Sequence, residues 1–374
     1  MKFLLSFDKY KSTFTQEEIS SYVFHVLKEE GIPEENIRIL PLSDGGEGSL
    51  SALEKSDPFL KRKNLSVSGP ILFKTDAFYL FDPDLQTAYI ELALASGLGL
   101  VPKEKRNPLF TSAYGTGELI RDAVQSGNKE IVLFLGGSST DDAGTGILEA
   151  LSFRFFDQKG HELHYLSGKD LKDIARVEVP KELPDVRFTF LTDVENPLLG
   201  PDGAASVFAL QKGASEEDIG ELEKGTESYV RVLKEMTGKD LSEEKGSGAA
   251  GGASFSLSYF FPHRYASGSG FLFKKLALEE KIGECDVLLS GEGKIDGSSL
   301  KGKVLSAFVP YASNKRVVFL PGCAEESALR EWEKKGIEVY PLFDQAPSFQ
   351  KREEWIIESK KRLKDVLIHK VLRK

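Results

Sequence analysis

The chain has 374 residues, a length that favours two domains over a single core. Its composition, 40% hydrophobic and 29% charged, is typical of a soluble globular protein, and its net charge of −9 argues against partners such as nucleic acid or an anionic membrane. With Cys285 and Cys323 as its two cysteines, it predicts no disulfide framework. The sequence has no apolar run of membrane-spanning length and no signal-peptide core at its start, so we expect a cytoplasmic protein.

The first part of the chain alternates predicted strands with predicted helices. Strands are predicted over residues 2–7 and 37–42, because each is a short and mostly apolar run. Between them, residues 15–18 fit the capping box that begins a helix. The second strand leads into a glycine-rich turn that contains Asp44 and Glu47, and a further helix is expected after it.

The middle of the chain has a different pattern. Residues 66–81 and 87–92 predict strands joined by a turn, which favours antiparallel pairing. Further on, residues 114–126 and 216–237 predict helices, and 187–191 predicts a strand. This mixture predicts an α/β region that is not purely parallel.

A glycine-rich loop follows a predicted buried strand over residues 131–135. Its residues are Gly136, Gly137, Ser138, Ser139, Thr140, Asp141 and Asp142. Glycines let backbone amides approach an anion closely, and the start of the next helix favours negative charge. Two carboxylates would repel a bare phosphate, and a hard cation such as Mg²⁺ removes that conflict. Residues 136–140, named here the glycine–hydroxyl loop, therefore predict a place where phosphate, metal and hydroxyl groups meet.

The end of the chain returns to the alternation of strand and helix. Its predicted strands cover 285–290, 316–320 and 337–342. Together with the two strands near the start they make five, the size of a small doubly wound parallel sheet. We therefore expect residues 1–65 and 275–374 to form one domain, with residues 66–274 inserted into it.

Acidic loops follow several of the predicted strands. Asp44 and Glu47 follow the second strand, Asp193 follows the strand at 187–191, and Glu292 and Asp296 follow a strand near the end. Open α/β sheets bind their ligands at the carboxyl ends of their strands, so these side chains are predicted to meet in one crevice. For each loop taken alone, a turn or an acidic helix cap is the competing structural interpretation.

Two lysines and two further glycine patterns also have competing interpretations. Lys11 and Lys212 could contact a carboxylate or a phosphate, although a solvated lysine and a plain helix boundary explain them as well. Residues 246–251 fit the dinucleotide pattern GxGxxG, but the preceding segment is polar and not a strand, which favours close packing of small residues. Residues 297–304 nearly fit a P-loop, but Val304 lacks the hydroxyl that binds Mg²⁺.

The series as a whole resembles the bacterial glycerate kinase family of the two-domain α/β type. The segments that carry the resemblance are 42–48, 90–98, 106–109, 114–120, 136–146, 192–200, 211–214, 248–252 and 290–296. The resemblance implies a flavodoxin-like doubly wound parallel sheet formed by both chain ends, with a second, mixed α/β domain inserted. It also implies ATP-dependent phosphorylation of D-glycerate to a phosphoglycerate, with 2-phosphoglycerate favoured over 3-phosphoglycerate and Mg²⁺ as the metal.

The resemblance also implies roles for the candidate residues. Asp193 is expected to orient or deprotonate the glycerate hydroxyl, with Lys11, Asp44 and Asp296 as further catalytic residues. The glycine–hydroxyl loop is the predicted phosphate cradle, with the triphosphate in a cleft between the domains. The predicted substrate contacts are Asp8, Glu47, Lys212, Glu292 and Lys294.

Asp141 and Asp142 are the predicted metal contacts. The sequence departs from the family pattern at Asp141, where asparagine is usual, and at Lys294, where arginine would bind a carboxylate through two hydrogen bonds. The alternatives are a kinase of another small hydroxy acid, a nucleotide-dependent oxidoreductase and a catalytically inactive metabolite-binding relative. We expect D-glycerate and ATP as small-molecule partners of a monomer or a homodimer.

Overall fold

The computed structural model describes residues 1–8, 10, 13–40, 45–297, 299, 304–345 and 351–373. The chain divides into two compact units. The terminal unit comprises Met1–Asp44 and Leu272–Lys374, and the inserted unit comprises Gly45–Phe271. None of the helices in the described ranges is both long enough and apolar enough to span a membrane.

The described strands are β1 (Phe3–Phe7), β2 (Ile37–Ile39), β3 (Lys61–Ser68), β4 (Lys74–Asp82), β5 (Thr87–Glu91), β6 (Glu130–Phe134), β7 (Arg154–Phe156), β8 (Glu162–Leu163), β9 (Arg176–Glu178), β10 (Arg187–Leu191), β11 (His263–Ala266), β12 (Val287–Gly291), β13 (Lys294–Ile295), β14 (Arg316–Phe319), β15 (Cys323–Ala324) and β16 (Glu338–Val339). The described α-helices are α1 (Gln16–Glu29), α2 (Ser49–Ser56), α3 (Ala93–Ser96), α4 (Tyr114–Gln125), α5 (Thr145–Ala150), α6 (Glu216–Thr237), α7 (Ala249–Gly252), α8 (Phe255–Phe260), α9 (Gly268–Lys275), α10 (Leu278–Gly283), α11 (Glu326–Lys334) and α12 (Arg352–Val366).

The terminal unit is built on a parallel sheet in which the described strands have the order β16-β14-β12-β1-β2. Read along the chain, this is the order 2-1-3-4-5 of flavodoxin-like sheets. All residues of β1 and β12 are buried, as expected for parallel strands that are covered on both faces. The predicted fold class, with both chain ends in one parallel sheet, is therefore confirmed.

Helix α1 follows β1 and begins with the predicted capping box. The Glu18 amide donates to Thr15 Oγ1 at 3.1 Å, and the Thr15 amide donates to a Glu18 carboxylate oxygen at 2.7 Å. These two bonds satisfy amides that the first turn of a helix leaves unpaired. The capping box therefore fixes where the helix starts after the first loop of the sheet.

The inserted unit contains a mixed sheet with the order β11-β10-β6-β5-β4-β3 among the described strands. Strands β5, β6, β10 and β11 run parallel, and β3 and β4 are antiparallel to their neighbours. In the parallel part, Phe134 pairs with both Glu91 and Leu191, so β5, β6 and β10 end level with one another. The loops that follow these three strands therefore start side by side at one sheet edge.

One predicted strand of this sheet was wrong. Residues 66–81 were expected to be continuous, but β3 ends at Ser68 and β4 begins at Lys74. The chain reverses between them, and the Gly69 amide donates to the Phe73 carbonyl at 2.6 Å. The reversal pairs β3 with β4 as an antiparallel hairpin.

The first boundary between the units lies at residue 44, earlier than the predicted 65. The reason is a long-range contact, since the buried Glu91 carboxylate at the end of β5 accepts from the Gly48 amide at 2.9 Å and the Leu50 amide at 3.1 Å. These bonds attach the start of α2 to the sheet of the inserted unit. The second boundary, at 271, lies close to the predicted 274.

Candidate active site

The glycine–hydroxyl loop leaves the carboxyl end of β6 with several free backbone donors. Within the described part of the chain, the amides of Gly136, Gly137 and Ser138 donate to no protein acceptor. The next residue anchors the loop, because the amide and the Oγ of Ser139 both donate to the Ser96 carbonyl at 2.9 Å. Consecutive free amides in a fixed turn form a concavity that binds anions. The loop therefore has the unpaired backbone donors that an anion site at the edge of the sheet would need.

The turn that precedes α2 packs directly on this loop. A Cβ atom placed on Gly136 would lie 2.4 Å from the Cα of Gly46, a separation that real Cβ atoms do not adopt. The exposed side chain of Glu47 lies alongside, with its Cβ 3.8 Å from where a Cβ on Gly137 would be. Two turns that the sequence predicted separately are thus in contact, and Glu47 stands next to the free amides.

The glycine-rich segment at 246–251 supports the loop from the other side. A Cβ on Gly251 would lie 2.0 Å from the Thr140 carbonyl oxygen, and the Gly251 carbonyl accepts from the Ala143 amide at 3.1 Å. Only a residue without a side chain fits this approach. The interpretation of the segment as close packing of small residues is confirmed, and its partner is the glycine–hydroxyl loop.

The Asp142 carboxylate is used inside the protein. It is fully buried and accepts from the Ala113 amide at 2.8 Å and the Gly144 amide at 3.1 Å. Burial raises the pKa of Asp142 to about 6, although these amides pull it down. In the described residues no group of three or more His, Cys, Asp or Glu side chains is placed to hold a metal ion. Asp142 therefore shapes the turn after the loop, and its role as a metal contact stays a prediction.

Asp141 and Lys212 form a second buried polar group beneath the loop. The Lys212 side chain is 3% exposed, and its Nζ donates to the Thr140 carbonyl at 2.7 Å. Burial raises the pKa of Asp141 to about 6 against the attraction of the Lys212 ammonium, and burial lowers the pKa of Lys212. Lys212 thus contacts the backbone of the loop, where the sequence predicted a contact with substrate. Asp141, equally buried, has no open face toward a metal in solvent.

Asp193 lies at the same sheet edge, after β10. Its Oδ1 accepts from the Ser267 hydroxyl at 2.7 Å and its Oδ2 accepts from the Ser269 amide at 3.1 Å, while the side chain stays exposed. The turn hydrogen bond in this loop comes from Thr192, whose Oγ1 accepts from the Val194 amide at 3.2 Å. The interpretation of Asp193 as a simple turn former is therefore not needed, and its carboxylate is held in a fixed orientation facing solvent.

The terminal unit places other predicted residues at the carboxyl edge of its own sheet. Glu292 follows β12 and accepts from the Ser299 hydroxyl. The Ser299 Oγ also accepts from the Asp296 amide at 3.2 Å, and the Ser299 amide donates to the Asp296 carbonyl at 3.0 Å. These bonds close a tight turn that holds Glu292 and Asp296 near each other.

Two more predicted residues of this unit lie close by. Lys294 is exposed, and its Nζ pairs with a Glu325 carboxylate oxygen at 2.6 Å, an interaction that raises the pKa of Lys294. Asp8 follows β1, where its amide donates to the Gly291 carbonyl at 2.9 Å. Burial, with smaller contributions from Glu292 and Asp8, raises the pKa of the Tyr10 hydroxyl well above its usual value. The predicted residues Lys11 and Asp44 lie outside the described residues.

Sequence reasoning missed the residues that fix the site. Glu91 holds the turn of Glu47, and Ser267 orients Asp193. Glu91 did carry a signal, since it is a charged residue at the end of an otherwise uncharged and fully buried strand. A buried carboxylate needs hydrogen-bond donors, and this one takes two amides. Ser267 carried no comparable signal.

Comparisons with known proteins were consistent with one another. The profile of the glycerate kinase family matches residues 3–372. The chain is 38% identical over 306 residues to the glycerate 2-kinase of Escherichia coli K12, which covers 81% of this chain and 80% of that protein. It is also 38% identical over 275 residues to the glycerate kinase of Halalkalibacterium halodurans, over 73% of this chain and 72% of that one. A crystal structure from Salmonella typhimurium LT2, described as a glycerate kinase 2, superposes with a TM-score of 0.77 at 30% identity over 97% of this chain and 95% of that chain.

Proposed function

The chain belongs to the glycerate kinase family, and on that premise we propose that it transfers the γ-phosphoryl group of ATP to a hydroxyl group of D-glycerate. The observation that carries the proposal is the loop edge of the inserted unit. Free amides at Gly136–Ser138, the Glu47 carboxylate and the Asp193 carboxylate all belong to loops at this edge. A phosphate site beside an oriented carboxylate is what a phosphotransferase needs.

The glycine–hydroxyl loop is suited to the phosphates of a nucleotide. Phosphoryl transfer depends mainly on positioning and on stabilising the charge of the transferred group. Backbone amides that are fixed before the substrate binds do this without reorganisation. The anchoring of Ser139 to Ser96 and the packing of Gly136 on Gly46 supply that fixed geometry.

Asp193 is suited to act on the hydroxyl that receives the phosphoryl group. Its two carboxylate oxygens each accept one hydrogen bond from the protein, so lone pairs remain for a substrate hydroxyl. Accepting that proton, or only orienting the hydroxyl, makes the oxygen a better nucleophile. The hydrogen bonds from Ser267 and Ser269 hold the carboxylate in one orientation for this contact with the hydroxyl.

The residues at the loop also fit a magnesium ion. Mg²⁺ is usually held by one or two carboxylates together with substrate phosphates, and when bound it neutralises phosphate charge. Glu47 is the carboxylate that meets this requirement, because it is exposed beside the loop. Asp142 does not meet it, because backbone amides already occupy its oxygens. We therefore move the proposed metal contact from Asp141 and Asp142 to Glu47.

The site of phosphorylation is proposed from the relatives. The Escherichia coli protein is named a glycerate 2-kinase, which supports phosphorylation at the 2-hydroxyl here. The further proposed substrate or catalytic contacts are Asp8, Lys11, Asp44, Glu292, Lys294 and Asp296.

Phosphorus NMR of the reaction products tests the proposal. With ATP, Mg²⁺ and D-glycerate we expect signals of ADP and of 2-phosphoglycerate. Parallel reactions with lactate and tartronate separate this activity from a kinase of another hydroxy acid. Binding of D-glycerate without formation of ADP would instead indicate an inactive relative, and an NADH-dependent reaction would indicate an oxidoreductase.

A further inference from the structure

The buried ammonium group of Lys212 lies directly behind the glycine–hydroxyl loop. We propose that Lys212 is a positioning residue, which fixes the loop for nucleotide phosphates through the Thr140 carbonyl and whose charge is balanced by Asp141. The inference rests on the proposed function, since it concerns the same loop. It assigns to Lys212 a role in ATP binding and none in direct contact with glycerate.

The geometry excludes an incoming ligand from this ammonium group. Lys212 is the last residue of the short helix Leu210–Lys212. The next residue, Gly213, packs against the backbone of Arg106, and a Cβ atom on Gly213 would lie 2.2 Å from the Arg106 carbonyl oxygen. This close packing holds the base of the side chain in place. At the other end, Nζ donates to the Thr140 carbonyl at 2.7 Å and is buried with it. A ligand in solvent has no path to Nζ in this arrangement.

The charge of Lys212 makes this contact stronger than an ordinary hydrogen bond. Hydrogen bonds from charged donors are shorter and stronger than neutral ones, and more so in a buried site. The negative charge of Asp141, with a smaller contribution from Asp142, opposes the effect of burial on Lys212, so nearby buried carboxylates help to keep this lysine charged. A buried charge that loses its partner is strongly unfavourable.

The loop itself depends on this contact from inside. Among the described residues, Thr140 Oγ1 and Asp141 Oδ2 have no hydrogen-bond partner although both are buried. The end of the loop at Thr140 is thus held by its backbone, with Lys212 on the carbonyl. This backbone support acts on the proposed phosphate cradle and leaves the glycerate hydroxyl untouched.

The first test replaces Lys212 by a neutral side chain of similar length. For Lys212→Met we expect the dissociation constant of Mg²⁺-ATP, measured by titration calorimetry without glycerate, to rise about 10- to 100-fold, the loss typical of a buried charged hydrogen bond. The KM for D-glycerate should stay within about twofold of the wild-type value, because the proposal gives Lys212 no contact with that substrate. Lys172→Met is the matched control, since Lys172 is exposed and pairs with Glu221, and it should leave ATP binding unchanged.

A second variant separates positioning from charge balance. In the double variant Asp141→Asn with Lys212→Met, neither residue carries a charge, so thermal stability lost by Lys212→Met should return. ATP affinity should stay low, because the Thr140 carbonyl still lacks its donor. If the double variant regains wild-type ATP affinity, Lys212 only balances Asp141 and the proposal is overturned.

Other outcomes are equally decisive. A Lys212→Met protein with unchanged ATP affinity and a raised KM for glycerate would make Lys212 a substrate contact and overturn the positioning role. The double variant provides the same two readouts if the single variant fails to fold. Wild-type protein that binds ATP but forms no phosphoglycerate would overturn the proposed function alone.

Discussion

The inserted unit holds its candidate loop by buried contacts to the backbone, whereas the candidate residue Lys294 of the terminal unit is held by a side-chain pair at the surface. Gly136 packs on Gly46, and Lys212 reaches the Thr140 carbonyl from inside. In the terminal unit, by contrast, exposed Lys294 pairs with Glu325. The difference indicates that the glycine–hydroxyl loop is fixed by the fold itself, while the charge of Lys294 can be removed at a small cost in stability.

The largest effect on activity is expected from a substitution of Asp193, which tests the role proposed for the inserted unit. Asp193→Asn can keep the hydrogen bond from Ser267 but loses the acceptor for the Ser269 amide and the acceptor for the substrate proton, so kcat should fall about 100- to 10,000-fold, as for loss of a general base. Steady-state kinetics and a thermal melt measure turnover and folding together. Glu195→Gln is the control, since this nearby carboxylate pairs with Lys245 at the surface. A nearly normal kcat in Asp193→Asn would remove Asp193 from the mechanism.

The next largest effect is a pH dependence of the free energy of unfolding, caused by the buried carboxyl group of Asp141. Burial raises the pKa of Asp141 to about 6, whereas the unfolded value is about 3.9. The protonated carboxyl is therefore favoured in the folded state, and its contribution is complete below about pH 4 and is lost as the pH rises through 6. The free energy of unfolding of Asp141→Asn minus that of wild type should therefore rise between about pH 4 and pH 6, by at most about 3 kcal/mol.

Urea unfolding of both proteins between pH 4 and pH 7.5 measures this difference. Asp142 has a similarly raised pKa but is present in both proteins, so its titration largely cancels. A difference between Asp141→Asn and wild type that does not change with pH would contradict the raised pKa that burial gives Asp141.

A third prediction sharpens the comparison through two glycines. Gly136→Ala forces a Cβ onto the backbone of Gly46 and should destabilise the protein by about 1–3 kcal/mol while weakening ATP binding. Gly220→Ala, in the second turn of α6 with nothing within 4 Å of the added atom, should instead stabilise it by about 0.5–1 kcal/mol. Chemical unfolding measures both, and similar stabilities for the two variants would mean that the loop does not pack as described.

The smallest effect is expected in the terminal unit. Lys294→Met should leave the unfolding midpoint unchanged, because exposed ion pairs contribute little to stability. If Lys294 binds the glycerate carboxylate, the KM for D-glycerate should rise about 3- to 10-fold through loss of a charged hydrogen bond. Lys334→Met, which removes a surface pair of the same unit, is the control. An unchanged KM would exclude Lys294 as a substrate contact.

Much of the fold could be predicted from the sequence because its signals are local. The strand Arg187–Leu191 and the helix Glu216–Thr237 have the predicted bounds, and the five apolar runs of the chain ends form the expected parallel sheet. The hairpin turn after Ser68 was missed, because the apolar pattern continues on both sides of it. The compact unit that begins at Gly45 includes α2 together with the contact between Glu91 and Gly48, which no local pattern reveals.

The sequence predicted where the candidate site lies but not which hydrogen bonds hold it together. Glycines and hydroxyls after a buried strand indicated an anion loop, and the structure gives free amides there. The roles of Asp142 and Lys212 were not predictable, since each depends on backbone groups far away in sequence. Lys212 reaches a carbonyl 72 residues distant, and Asp142 accepts from an amide 29 residues distant. Composition and spacing cannot distinguish such internal partners from ligands.

A crystal structure with a non-hydrolysable ATP analogue, Mg²⁺ and D-glycerate tests the central claim most directly. The account predicts phosphate oxygens within hydrogen-bond distance of the amides of Gly136, Gly137 and Ser138, and the glycerate 2-hydroxyl on the Asp193 carboxylate. A triphosphate bound away from the glycine–hydroxyl loop, or glycerate out of reach of Asp193, would contradict it.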